Sequence, residues 1–417
     1  MGQELQIAIV GCGIGGLASA CLLRRQGHRV TIFDQFTAPQ PVGSGLIIQP
    51  VGQEVLSRVG VLAEAEALGA RIERLEGHAH PSNRIALDGH YAGGRTHKLR
   101  DLYGLAIHRG ALFSLLHGAA TDCGVSIVQD HFVLGTVDRD TPYLRIEGSR
   151  QAGPFDLVVD AAGAGSPLSP LIGMPLKYGA LWGTVALPAD AGDLGGVLRQ
   201  RYRDTRQMAG VLPIGRLPDS TTELAAVFWS LKLDDYPDWA ERDIADWHGE
   251  ITEFWPDFGH LMQGFASHDQ LTFAAYAHGS LNKPYRRRIV HIGDAAHQTS
   301  PQLGQGANMA LLDAAVLSEV LDGRAISTAL RSYWLRRVTH VKLYQAISAL
   351  ITPLYQSDMS RLAFLRDRVL TPLTRTAPGK RLVGRLLTGG LIPPLRRDPT
   401  MRVATDTSIM SREPGGG

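Results

Sequence analysis

Cysteine is scarce in this chain: Cys12, Cys21 and Cys123 are the only 3 in 417 residues. So few and so scattered, they can neither staple a disulfide framework nor cage a metal. They suit a reducing cytosol, where a lone buried cysteine behaves as a small hydrophobe. Long apolar runs are missing as well. No stretch reaches the roughly eighteen uninterrupted apolar residues that a membrane-spanning helix needs. The strand-like run Leu5–Val10 begins almost at once and goes straight into a glycine-rich turn, so no secretory leader is expected. Charge of one sign is lacking: 42 Lys and Arg against 40 Asp and Glu leave a net +2, which gives no reason to expect nucleic-acid binding. The 15 histidines include no pair at ligand spacing on a helix face, so no metal site is expected.

The composition that remains, 44% hydrophobic and 20% charged, is that of a globular protein long enough for two or three lobes. Residues 5–34 read as a βαβ start: an apolar strand, a glycine turn, a helix ended by Gly27, and the strand Arg29–Phe33. Residues 71–98 alternate as strands, a helix is expected from Arg109 to about Cys123, and Phe155–Asp160 suits a buried strand. Residues 176–280 change character, with β-rich runs Tyr178–Leu187, Gln207–Ile214 and Glu223–Leu233 and one charged helix near 238–254. A short buried strand at 288–292 and a long helix from about 304 to 321 precede a helical remainder. The alternation predicts an α/β fold with a Rossmann-like dinucleotide-binding domain built from discontinuous segments (1–70, 99–175 and 281–335). A mostly antiparallel β-sheet substrate domain (71–98 and 176–280) is inserted into it, and a helical, basic C-terminal region (336–417) follows.

Directly after the first strand, Gly11-Cys12-Gly13-Ile14-Gly15-Gly16 fits G-x-G-x-x-G and opens a helix. The first glycine permits a tight turn, the second lets a pyrophosphate approach the backbone, and the last lets helix and strand pack closely. Free N–H groups and the positive end of the helix dipole complete an anion site. Asp34 closes the second strand 18 residues after Gly16, where a carboxylate can take a ribose hydroxyl pair. A ligand-free glycine turn is the bland alternative, and Cys12 reads only as a small residue within it.

A second signal lies far downstream in Gly293-Asp294-Ala295-Ala296-His297, continuing through Pro301 to Gly304-Gln305-Gly306-Ala307-Asn308 and Asp313. A strand delivers Asp294 to a turn where its carboxylate can accept hydrogen bonds from a sugar-alcohol chain. Gly304 and Gly306 permit close backbone approach to a planar ring, and a helix starting near Gln305 stabilises negative charge at the ring's edge. This gapless run resembles the signature of the flavoprotein aromatic hydroxylases, the p-hydroxybenzoate hydroxylase-like monooxygenases, with similarity to ubiquinone-biosynthesis hydroxylases. The resemblance implies FAD held by Gly11, Gly13, Gly15, Gly16, Asp34, Gly45, Arg109, Gly293, Asp294, Gly304, Gln305, Gly306, Ala307 and Asn308. Arg109 would reach toward the pyrophosphate, and the segment from Gly43 to Pro50 would lie beside the isoalloxazine. It also implies NADH or NADPH as co-substrate, O2 as oxidant, and hydroxylation of a small aromatic or quinone/quinolone-like ring through a flavin C4a-hydroperoxide. Pro301 and His297 fall nearest the chemistry. For His297, proton handling or substrate contact stands beside a local structural role.

Two segments depart from the family pattern. Ala162 and Ser169 replace an acidic residue and an arginine, and Pro39, Gln40 and Pro41 stand where many members carry an arginine. Both bear on docking of the reduced nicotinamide. Substrate-pocket lining is expected from the inserted sheet, with Val211, Pro213, Phe228 and Trp229 as candidates alongside Met208, Leu212 and Ile214; core packing is the alternative for each. No Arg or Lys cluster there calls for a carboxylate, which favours a neutral or lipophilic ring. From Arg336 to Arg397, twelve Lys or Arg residues face only Asp358 and Asp367, with leucines between. Such a segment can lie on an anionic membrane, or pack on its own domain or a twin subunit, and packing is favoured. The reading is of a cytoplasmic protein, monomer or homodimer, with peripheral membrane contact open. Alternatives are a prenyl reductase or halogenase on the same scaffold, and a non-catalytic flavin- or lipid-binding protein. The halogenase version needs a tryptophan-rich motif, and Trp182 stands alone.

Overall fold

Four successive buried residues make β1 (Gln6–Val10) a central strand, covered on both faces as parallel strands are. The glycine turn carries it into α1 (Ile14–Arg25) and on to β2 (Arg29–Phe33), which lies parallel to β1 with Ile7 beside Val30. The computed structural model describes residues 3–37, 44–92, 102–137, 140–187, 194–392 and 395, so Pro39, Gln40, Pro41, Gly43 and Arg397 lie outside the described residues. The chain leaves the first layer through β3 (Gly45–Ile48), the hairpin of β4 (Arg74–His80) and β5 (Arg84–His90), and β6 (Gly104–His108), which pairs back onto β3. It returns with α2 (Arg109–Asp122), β7 (Ser126–Val128) and β8 (Leu157–Asp160).

Four longer strands follow: β9 (Tyr178–Ala186), β10 (Val197–Arg203), β11 (Gln207–Gly215) and β12 (Leu224–Lys232). Three helices replace the single one expected near 238–254: α3 (Tyr236–Glu241), α4 (Ile244–Phe254) and α5 (Pro256–Met262). Asp243, which caps α4 by accepting the Ala245 N–H at 2.9 Å, and the first-turn Pro256 of α5, which lacks an N–H to continue the preceding helix, mark the two breaks. Then come β13 (Thr272–Ala274), β14 (Ala277–Ser280), β15 (Ile289–His291), α6 (Gly306–Leu321) and α7 (Ile326–Tyr355).

The first sheet runs in the order Tyr285–Arg286, β15, β8, β1, β2, β7, parallel except for its outermost pair. The second has seven strands, β13, β9, β12, β11, β10, β4, β5, antiparallel except between β10 and β4. It draws on both sequence stretches read as strands.

The faces of this second sheet correct part of the pocket reading. Side chains alternate across a strand. Val211 and Trp229 belong to the face buried under α3–α5, where Trp229 meets Trp247 and Phe254 edge-on. Pro213 shares Val211's parity. Met208, Leu212, Ile214 and Phe228 occupy the opposite face, packed with Ile47 and Ala106 of the β3–β6 pair. Of the four candidates, only Phe228 faces the nucleotide domain.

The helical C-terminal region has no start at 336, because α7 runs through that position for 30 residues. Beyond it, α8 (Arg361–Leu365), a π turn (Arg366–Leu370), α9 (Thr371–Thr374) and α10 (Ala377–Leu387) fold back along β5. The buried Arg366 guanidinium pins this return: it stacks on Tyr202 and Tyr355, 4.8 and 5.4 Å from the ring centres, and donates to the Asp204 and Leu354 carbonyls. Among the described residues no helix is long and apolar enough to cross a membrane.

Candidate functional site

The glycine turn is built as close approach demands. Gly11 has φ +104°, and a Cβ there would lie 2.5 Å from the Ala161 carbonyl oxygen. A Cβ on Gly16 would stand 2.1 Å from the Gly11 oxygen, and one on Gly15 3.1 Å from Ala310 Cβ. At Gly13 a Cβ would meet nothing within 4 Å. The open space therefore sits at the N-cap of α1, whose first turn carries no acidic residue and whose cap makes no side-chain hydrogen bond. Asp34 braces the turn: its buried carboxylate accepts the Cys12 N–H at 2.7 Å and the Phe36 N–H at 3.0 Å. Burial, with Asp34 adding to it, pushes the Cys12 thiol up to about 12, so Cys12 stays protonated.

The second turn hangs on a residue that sequence reasoning quoted without giving it a role. Asp313 on α6 is sealed from solvent and accepts the Gly293 N–H at 2.9 Å, the Arg337 Nε–H at 2.6 Å and His297 Nε2 at 2.7 Å. Burial alone raises its carboxyl, but Arg337, His297 and the Gly293 N–H outweigh that and hold it well below the usual carboxylate range. Gly293, at φ +58°, turns the chain so that Asp294 projects into solvent at the carboxyl end of the sheet. The walls of the opening in which it stands raise the Asp294 carboxyl by more than His297 and Arg109 lower it. His297 itself is buried and committed to Asp313 through Nε2, which makes it a clamp beneath the turn.

Pro301 starts a single 3-10 turn that ends at Gly304, φ +59°. Ser300, just before it, is anchored to Ser348 and Thr352 of α7. Gly306 opens α6, and a Cβ there would meet nothing within 4 Å, a second open helix N-terminus. Ala307 packs partly buried against the core, and Gln305 Nε2 reaches the Leu387 carbonyl at 3.4 Å. Asn308 is fully spent on protein: Nδ2 donates to Ile47 and Gly304, and Oδ1 accepts the Gln49 N–H at 2.8 Å. It fixes β3 against α6. Gly45 serves the domain interface, since a Cβ there would strike Ile214 at 2.4 Å and Ala226 at 2.8 Å. Arg109 begins α2 with an exposed side chain, its N–H on the Ser44 carbonyl. His108 caps that helix by accepting the Gly110 N–H at 3.0 Å.

Opposite these turns, the inner face of the second sheet presents an aromatic wall. Trp182 and Phe228 lie 4.9 Å apart between ring centres, and Trp182 Nε1 donates to Tyr276 Oη at 2.7 Å. Neither Trp182 nor Tyr276 has a local sequence signal: the pairing of β9 with β12 sets Trp182 opposite Phe228, and Tyr276 follows β13, which pairs along the other edge of β9. The altered 161–169 segment is internally braced. Buried Asp160 accepts from Ser166 Oγ at 2.7 Å and contacts His291 Nδ1 at 2.7 Å, and Ser169 Oγ donates to the Ala295 carbonyl. A cleft of about 950 Å³ exists elsewhere, lined by Leu5, Asp156, Arg288 and Ser327, but it opens at the amino end of β1. Ligands of open α/β sheets bind at the carboxyl ends, where both glycine turns stand. Among the described residues, no group of three or more His, Cys, Asp or Glu could hold a metal ion.

Residues 4–346 match the family of FAD binding domains, and the chain belongs to it, as an FAD-dependent enzyme of the aromatic monooxygenase class. The 6-hydroxynicotinate 3-monooxygenase of Bordetella bronchiseptica is 26% identical over 364 residues, 82% of this chain and 90% of its own. A probable 2-heptyl-3-hydroxy-4(1H)-quinolone synthase of Rhodococcus erythropolis is 26% identical over 382 residues, 88% of this chain and 91% of its own. Among solved structures, HpxO of Klebsiella pneumoniae complexed with FAD has a similar fold, with a TM-score of 0.75 at 19% identity, covering 93% of this chain and 98% of that one. So has 2-methyl-3-hydroxypyridine-5-carboxylic acid oxygenase, TM-score 0.73 at 21% identity, covering 90% and 99%.

Proposed function

We propose that this enzyme hydroxylates a small, electron-rich aromatic or heteroaromatic ring, with NADH or NADPH as reductant and O2 as oxidant. The observation that carries the reading is the convergence of two open helix N-termini, at Gly13 and Gly306, with the accessible Asp294 at the carboxyl end of the first sheet and with the exposed Arg109, whose charge acts on Asp294. These residues fit FAD. The Gly11–Gly16 turn and Arg109 suit the pyrophosphate, Asp294 the ribityl hydroxyls, and the start of α6 the electron-rich pyrimidine edge. When bound, the flavin supplies two-electron reduction of O2 and transfer of one oxygen atom to the substrate ring.

The chain's own contribution is to hold, orient and exclude water. Trp182 and Phe228, tilted 39° to one another, offer an apolar wall for a ring, with Met208 and Leu212 on the same sheet face. Because Trp182 gives its N–H to Tyr276, the Tyr276 hydroxyl keeps its own proton to donate. Burial raises that phenol, outweighing the lowering by the Trp182 N–H, so it stays neutral and serves as a donor to a ring oxygen or nitrogen. The hydroxypyridine- and quinolone-type rings in the relatives' names offer such acceptors. Ala162 and Ser169 place no charge in the 161–169 segment, which supports slow reduction until a ring substrate binds, a gate of a kind common in enzymes.

Purified protein is expected to be yellow and to release FAD on denaturation. Anaerobic bleaching by NADH or NADPH should quicken when a hydroxypyridine or hydroxyquinolone is added, and isotopically labelled O2 should leave one labelled atom in the product. Protein that cannot be reconstituted with FAD, or product oxygen drawn only from water, rules the reading out.

A further inference from the structure

Among the described residues, eight of the fourteen exposed large hydrophobic side chains fall between 350 and 392, in the C-terminal return. Along the continuous helical run from Arg361 to Thr374, Ala363, Arg366 and Thr371 face inward. Phe364, Leu365, Arg368, Val369, Pro372 and Leu373 face outward. Phe364 is 66% exposed and Leu373 57%, and Leu382 on the neighbouring α10 is 60% exposed. Arg361, Arg368, Lys380, Arg381 and Arg385 stand exposed around them. The one carboxylate between 359 and 392, Asp367, is bound to Arg366. The π turn, α9 and α10 pack side by side over β5, so their outer sides form one surface, apolar and cationic together.

We infer that this surface docks on an anionic lipid membrane. A contiguous apolar patch rimmed by charge marks an interaction site. This mixture suits a lipid interface: Phe and Leu side chains enter the acyl boundary while Lys and Arg, on flexible stems, reach the headgroups. A second copy meeting the same face in an isologous dimer would set five exposed cations against five more. The surface lies outside the flavin turns, and the inference does not depend on the reaction proposed above.

The test is co-sedimentation of the flavin-loaded full chain with vesicles. Binding is expected to vesicles of phosphatidylcholine with phosphatidylglycerol, to be weak on pure phosphatidylcholine, and to fall as salt is raised. Arg368→Glu with Arg381→Glu should lower partitioning by about tenfold or more, since each cation near an anionic surface contributes substantially. Phe364→Glu with Leu373→Glu should do the same, by removing the inserted groups. Unchanged flavin absorbance and melting temperature show that these exposed positions leave the fold intact. No binding by the intact protein, or binding indifferent to both pairs, overturns the proposal. So does an intact protein that is dimeric in light scattering and becomes monomeric in Phe364→Glu/Leu373→Glu without ever binding vesicles; that result gives the surface to a second copy.

Discussion

The Arg337 guanidinium on α7 donates Nε–H to Asp313 Oδ1 on α6 at 2.6 Å, and both side chains are at most 2% exposed. One oxygen of Asp313 thus faces the cation while the other holds Gly293 and His297, the two ends of the turn that presents Asp294. A charge left alone at such depth is costly. Arg337→Met should destabilise the protein by about 3–5 kcal/mol, and Asp313→Asn by a similar amount, because an amide that keeps its oxygen on the Gly293 N–H turns its NH2 toward the Arg337 guanidinium and leaves that charge unpaired. Both should lower FAD retention. Denaturant unfolding of the apo-protein and flavin content after gel filtration are the measurements; an Arg337→Met protein within about 1 kcal/mol of the parent would show that the pair does not hold the turn.

The two glycines of the first turn should separate fold from cofactor. Gly13→Val adds its side chain where nothing lies within 4 Å, so the apo-protein should keep its melting temperature and lose FAD binding. Gly16→Ala instead drives a methyl to 2.1 Å from the Gly11 oxygen. It should lower the melting temperature whether or not FAD is present. Normal FAD occupancy in Gly13→Val would show that the phosphates lie elsewhere.

What the sequence made legible is what local backbone geometry dictates. Gly11 and Gly16 are read from spacing because the strand–turn–helix unit allows no side chain at those points, and the same holds for the positive φ at Gly293 and Gly304. Residues defined by register were less accessible. Val211 and Phe228 both sit in apolar β runs, and only the pairing of β11 with β12 decides that they face opposite ways. Nor does any spacing rule link Asp313 to Arg337: the contact depends on how two helices cross, 24 positions apart in the chain. Asn308 shows the converse, a motif residue whose hydrogen bonds all go to protein groups.

His340 should make the fold acid-sensitive. It is fully buried beside Arg337, and burial with that neighbouring charge pushes its imidazole down to about 3 from the ordinary 6.5. Between those values the unfolded chain binds a proton that the folded chain refuses, so stability is complete above 6.5 and falls as pH drops toward 3. The upper part of the window, down to about pH 5, lies above the range in which carboxylates begin to protonate in the unfolded chain. His340→Gln keeps a polar group beside Arg337 without the titration. Melting temperature against pH should flatten between about 6.5 and 5 in this variant, and an identical slope in both proteins would assign the acid sensitivity to another group.

Tyr276→Phe tests the substrate wall with little change of shape. The ring stays in place beside Trp182, and only the hydroxyl is lost, both as acceptor of the indole N–H and as donor toward the ring substrate. Loss of one neutral hydrogen bond amounts to about 0.5–1.5 kcal/mol, or up to about tenfold in kcat/KM. The more telling effect concerns where the oxygen goes. A ring no longer held at its polar atom spends less time correctly aligned, and misaligned turnovers end as peroxide. The variant should therefore consume NADH or NADPH at a near-parental rate while a larger share of O2 appears as H2O2. Trp182→Phe, which leaves the Tyr276 hydroxyl intact but unanchored, should shift the balance the same way and less far. Hydroxylated product and H2O2 measured on the same samples give the ratio. A Tyr276→Phe enzyme that couples as tightly as the parent would move the substrate's polar contact to another residue.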